Sequence, residues 1–141
     1  MLEYHGWLTI RASPSETEDE LEDDRQVAER VRNLTSQLGL VPGLLDFRFI
    51  NGEAFLHFGG LTNHRSQDVD DVFQLVQTIV RTAPGSYGVL YLHDDEDAER
   101  PVNEFRVYVA ARGQLVEHAD PFLSPIDPVI EDSGERAQER R

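Results

Sequence analysis

A chain of 141 residues is enough for one domain with a single core, and a 39% hydrophobic content with 7 Phe, 4 Tyr and 1 Trp excludes global disorder. Thirteen basic against 27 acidic residues leave a net charge of -14, which repels phosphate backbones and favours basic partners, so nucleic acid is not an expected ligand. No run approaches the ~20 apolar residues that cross a bilayer, the start Met1-Leu2-Glu3-Tyr4-His5 is no basic-then-apolar leader, and zero cysteines exclude disulfides and thiol nucleophiles. A cytoplasmic protein without membrane contact is expected.

Leu2 to Arg11 reads as a strand, with Tyr4, Leu8 and Ile10 on one face and His5, Trp7 and Thr9 on the other. Trp7 therefore opposes the main apolar face, where it either packs in a minor core or stands as a binding anchor. Ser13-Pro14-Ser15 ends the strand. Seven of the nine residues from Glu16 to Asp24 are acidic, a density that requires solvent or a partner.

From about Asp19 to Leu38 the positions Leu21, Val27, Ala28, Val31, Leu34 and Leu38 recur at mostly three- and four-residue spacing, as on an amphipathic helix. The acidic start suits its dipole, Gly39 suits its C-terminal cap, and Pro42-Gly43 prevents continuation. Leu45, Phe47 and Phe49 alternate with Asp46 and Arg48, and Asn51-Gly52 joins them to the run Ala54 to Phe58 as a hairpin. Gly59-Gly60 is expected to loosen the chain. Ser66 is placed to cap a second helix with the stripe Val69, Val72, Phe73, Val76, Ile79 and Val80, and Ala83-Pro84-Gly85 stops it.

Tyr87 to Leu92 is a dense strand, the acidic loop Asp94-Asp95-Glu96-Asp97 separates it from a strand at Phe105 to Ala110, and Arg112-Gly113 turns into a short strand at Leu115 to His118. Gly85 and Gly88 are placed to let a neighbouring backbone approach closely. Beyond Phe122 the prolines disfavour regular structure, giving a domain over 1–132 and a polar tail over 133–141. The order is β-α-β-β-α-β-β with a further short strand. It predicts an α+β fold: an antiparallel sheet of about five or six strands with two helices on one face, ferredoxin-like with added C-terminal strands. Right-handed crossovers put both helices on the same side and leave the face with Trp7 for a second layer or a partner.

No histidine pair has metalloprotease spacing, no serine sits in a Gly-x-Ser-x-Gly turn, and no phosphate-binding loop exists. No catalytic residue, metal or cofactor is therefore assigned. One enzymatic alternative is a metal-dependent hydrolase using His93 with Asp94, Asp95 or His118, where carboxylates would hold a hard cation. Another alternative is a small acidic regulatory or scaffold module. Two acidic segments without a metal motif fit instead a surface that meets a basic protein, such as a nuclease.

Three ordered segments carry a family resemblance: Leu2 to Ile10; Gly85 to Tyr91 running into Asp94 to Asp97; and Asp120-Pro121-Phe122-Leu123-Ser124-Pro125. With the Asn103-x-Phe105 strand start, the Arg112-Gly113 turn and the closing Glu131-Asp132, they make residues 2 to about 132 similar to the seventh family of polymorphic-toxin immunity proteins. The resemblance implies a non-catalytic protein encoded beside a toxin that it silences by tight stoichiometric binding. It supplies no interface residues. Ranked by exposure and charge, the expected toxin-binding residues are Trp7, Glu20, Asp23, Asp24, Asp94, Asp95, Glu96 and Asp97. The sequence leaves open whether the chain is a monomer or a homodimer.

Overall fold

The computed structural model describes residues 1–14, 20–39, 43–101 and 103–126, with the side chains of residues 20–22 left aside. The acidic residues Glu16, Glu18 and Asp19, the helix stop at Pro42, the closing Glu131-Asp132 and the tail from Ser133 lie outside the described residues. Within them the elements run β1 (Leu2–Ile10), α1 (Glu20–Gln37), β2 (Leu44–Ile50), β3 (Glu53–Thr62), α2 (Gln67–Thr82), β4 (Tyr87–Asp94), β5 (Arg106–Ala111) and β6 (Gln114–Ala119). All strand pairs are antiparallel, in the order β2-β3-β1-β4-β5-β6. The first four strands of that order are the ferredoxin-like arrangement, and β5 and β6 extend it on one side.

Alternation along the strands sorts the side chains. Leu2, Tyr4, Leu8 and Ile10 of β1, Ala54, Leu56 and Phe58 of β3, and Leu90 and Leu92 of β4 are buried in one cluster with Ala28 and Val31 of α1 and Val69, Val72, Val76, Ile79 and Val80 of α2. Both helices therefore pack on the same face of the sheet. At about 25 cal/mol for each Å² of apolar surface removed from water, this cluster is the main source of stability in a chain without disulfides.

Two turns follow their residue types. Asn51 and Gly52 have φ of 52° and 84°, and Arg112 and Gly113 have φ of 52° and 77°, so both two-residue hairpins take the positive-φ pair whose twist matches the flanking strands. Gly39, at φ 74°, follows α1 as its left-handed C-terminal residue.

Two local expectations need correction. Gly59-Gly60 does not loosen the chain, because β3 continues through both glycines to Thr62. A Cβ on Gly60 would stand 2.7 Å from the ring of buried Tyr4, so the missing side chain makes room for that ring within the sheet. Ser66 occupies the N-cap of α2 with extended backbone, but its side chain makes no capping bond and its buried Oγ has no partner. The backbone turn closes instead through the Asp70 amide, which donates to the Ser66 carbonyl at 3.2 Å. The close approaches expected at Gly85 and Gly88 are present: a Cβ on Gly85 would meet the Ser13 carbonyl oxygen at 2.2 Å, and one on Gly88 would meet that of Trp7 at 1.9 Å.

Candidate functional site

Neither helix lies on the second face of the sheet, and the strand registers fix which side chains share it. Across the middle runs the row Asp46, His57, Trp7, Val89, Val109 and Val116, one residue from each strand. The row on one side holds Arg48, Phe55, Thr9, Tyr87 and the β5–β6 positions Ala111 and Gln114. The row on the other holds Leu44, Gly59, His5, Tyr91, Val107 and His118. Trp7 is 38% exposed, which decides between the two sequence readings: it is a surface aromatic, not part of a minor core. Its ring meets that of exposed Tyr87 edge-on with centroids 6.3 Å apart, and Thr9 beneath them is buried. Val89, Tyr91, Val107 and Val109 are half-buried by one another, and Val116 at the edge is exposed.

The side of this face built from β1, β4, β5 and β6 thus carries an apolar stripe over Trp7, Val89, Val109 and Val116, bordered at the Leu2 end by Glu3, which meets His5 at 2.8 Å. Of the stripe's residues, only Trp7 stands among the toxin-binding residues expected from the sequence. The signal was present in Tyr87, Val89 and Tyr91, which alternate with core residues Leu90 and Leu92 and make β4 apolar on both faces.

The acidic loop lies at the Leu2 end of β1, since Leu2 pairs with Asp94. Its carboxylates meet cations and amides of the same chain. Asp95 accepts a hydrogen bond from the Met1 amino group, and Glu96 lies 3.9 Å from that amine and 2.7 Å from His64 Nδ1. The Asp95 bond raises the amine pKa above 8.0, and the same bond lowers the Asp95 carboxyl below 3.8. Asp94 accepts from the Glu96 amide at 3.1 Å, while Asp97 accepts from the Glu99 amide at 3.0 Å and stands 3.8 Å from Arg100. Asp94 and Asp97 also line a small cavity of about 10 Å³ with Arg65, Arg100 and Arg106. Arg100 is held more firmly protonated by its hydrogen bond with Tyr108 and then by Glu117, which Arg106 also meets at 2.9 Å. The loop carboxylates are therefore engaged within the chain, although Arg100 and Arg106 are shared with Glu117 and Arg65 with Asp70, so the region stays net acidic.

The other acidic segment lies at the opposite end of β1. Glu20 begins α1, Asp23 is exposed, and Asp24 accepts from the Ala12 amide at 2.6 Å, tying the helix start to the end of the strand. Beside it a cavity of about 300 Å³ is lined by Ile10, Asp24, Arg25, Ala28, Phe49 and Glu53. Leu2 and Ile10 are eight residues apart, or about 26 Å at 3.3 Å per residue. The expected site residues consequently fall into three places: the two ends of β1, on either side of the sheet's middle, with Trp7 between them on the helix-free face.

The proposed hydrolase set is not brought together. Alternation sends the side chains of His93 and Asp94 to opposite faces, and the His93 ring packs against buried Phe105 at 5.6 Å. His118 lies two strands away on β6, opposite Val107. Among the described residues no group of three or more His, Asp or Glu side chains is arranged to hold a metal ion. No helix of the described residues is long and apolar enough to cross a membrane.

Comparison with known proteins gives one family. The family model described as Immunity protein 7 matches residues 1–132. No curated relative and no solved structure matches the chain.

Proposed function

The chain belongs to the Immunity protein 7 family, and from that premise we propose that it binds one cognate toxin domain, encoded nearby, and neutralises it by stoichiometric association in the cytoplasm without catalysis. The observation that carries this reading is the family match over residues 1–132, which includes every described element of the fold. Charge and surface support it. At -14 the chain attracts a basic effector, such as a nuclease, and disfavours phosphate-bearing ligands. The helix-free face supplies an exposed aromatic pair on rigid strands, the residue types that dominate binding hot spots. In this reading Trp7 provides contact, while Glu20, Asp23, Asp24, Asp94, Asp95, Glu96 and Asp97 provide a negative field around it.

The test is co-expression with the toxin domain encoded beside the gene in a competing bacterium. Growth should be restored, and calorimetric titration of the two purified proteins should give a one-to-one complex. Restored growth without a complex would point to chemical inactivation of the toxin and defeat the stoichiometric mechanism. Loss of rescue in a host that expresses both proteins at equal level would defeat the function itself.

A further inference from the structure

The molecule's charge and its exposed apolar surface are segregated. With 27 acidic residues in 141, a random patch of six positions would be expected to include about one carboxylate. The stripe of Trp7, Val89, Val109 and Val116, with Tyr87 on one side and Tyr91 on the other, holds none. It spans four strands, about 14 Å at 4.8 Å per strand spacing. Beneath it the backbones of β1 and β4 approach so closely that Gly88 has no room for a side chain, which fixes the Trp7 and Tyr87 positions on an unyielding base. Contiguous exposed apolar surface of this kind marks an interaction site, and interface cores are depleted of charge while their rims are polar.

Resting on the toxin-binding reading above, we propose that the toxin is anchored on this stripe, and that the acidic segments at the two ends of β1 govern how fast the partners meet, not how long they stay. A standard interface covers about 800 Å² on each partner, a disc about 16 Å in radius. Centred on Trp7, such a disc reaches Ala12, whose amide donates to Asp24, and the Leu2 end of β1 after about 17 Å each, so both acidic ends fall near its rim. Rim charges act on association, whereas buried apolar anchors set dissociation. In the loop from Asp94 to Asp97, Asp95 is bonded to the Met1 amine, Glu96 lies against His64 and Asp97 near Arg100, so these side chains are held within the chain and act on a partner through their field and not through tight contact. The occupant is a basic domain that presents an apolar or aromatic surface ringed by Arg or Lys. A second copy of this chain is the wrong occupant, because stacking two copies face to face brings together two net charges of -14.

Kinetics on the full chain and the toxin domain encoded beside its gene decide the matter, using Trp7→Ala and Val116→Glu with Gln74→Ala on the outer face of α2 as control. Unfolding curves confirm that each variant is folded; Val116 lies exposed at a sheet edge, so its variant retains the core whatever happens at Trp7. Each stripe variant should raise the dissociation rate about 10- to 100-fold with the association rate unchanged within about threefold. Undiminished complex lifetime in folded Val116→Glu overturns the proposal and leaves the toxin-binding reading standing. A wild-type dimer that Val116→Glu splits assigns the stripe to a second copy and also overturns it. Absence of any complex with the wild-type chain removes the functional reading and this proposal together.

Discussion

Asp95 shows how a carboxylate that looks available in the sequence is used by the fold. Its bond to the Met1 amine lowers its own pKa below 3.8 and raises that of the amine above 8.0. The carboxyl side of this linkage stabilises the native state at pH above the unfolded Asp value and is lost as pH falls through the lowered one. The amine side is fully present below 8.0 and is lost as pH rises through the raised value. Asp95→Asn should return the amine pKa towards 8.0, measured by NMR titration; an unchanged amine would show that Glu96 and Asp94 hold it without Asp95. At this scale the sequence singled out Trp7 and the acidic runs, and the structure shows Trp7 exposed and the loop carboxylates held by partners of the same chain. It could not show that Asp94 and Asp97 face Arg65, Arg100 and Arg106, since pairing across the chain leaves no local pattern.

Periodicity made most elements legible, and the exceptions have local causes. The α2 stripe is buried as the spacing demands, and both hairpin turns carry the residues that tolerate positive φ. Strand β3 runs past Gly59-Gly60 because Tyr4, 56 residues earlier in the chain, needs the space that a side chain would take. Ser66 tests the difference between a sequence signal and its geometry. Replacing a working serine cap by alanine costs about 1 kcal/mol. Here the hydroxyl is buried and bonds nothing, so Ser66→Ala should leave stability unchanged within about 0.5 kcal/mol or raise it. Denaturant unfolding measures this directly, and a loss near 1 kcal/mol would restore the side-chain cap.

Over the whole molecule, charge and exposed apolar surface are distributed differently, and that distribution was invisible until the strand registers put Val89, Val109 and Val116 beside Trp7. If the net charge of -14 steers a basic toxin, Asp23→Asn with Glu96→Gln should slow association several-fold at low ionic strength, and the difference should vanish near 1 M salt, where the screening length is about 3 Å. A salt-independent association rate in the parent protein would rule out steering. The strand order has a temporal consequence as well. Among the described strands β1 alone joins the β2-β3 pair to the β4-β5-β6 unit within the sheet, and its partners in β4 lie from Tyr87 to Asp94. At a synthesis rate of about 5 to 20 residues per second, the first strand made waits about 4 to 16 s before the second of its two neighbours exists. Until then half of its hydrogen-bonding edge is open, and the newborn chain has neither a closed sheet nor the surface on which Trp7 and Tyr87 meet.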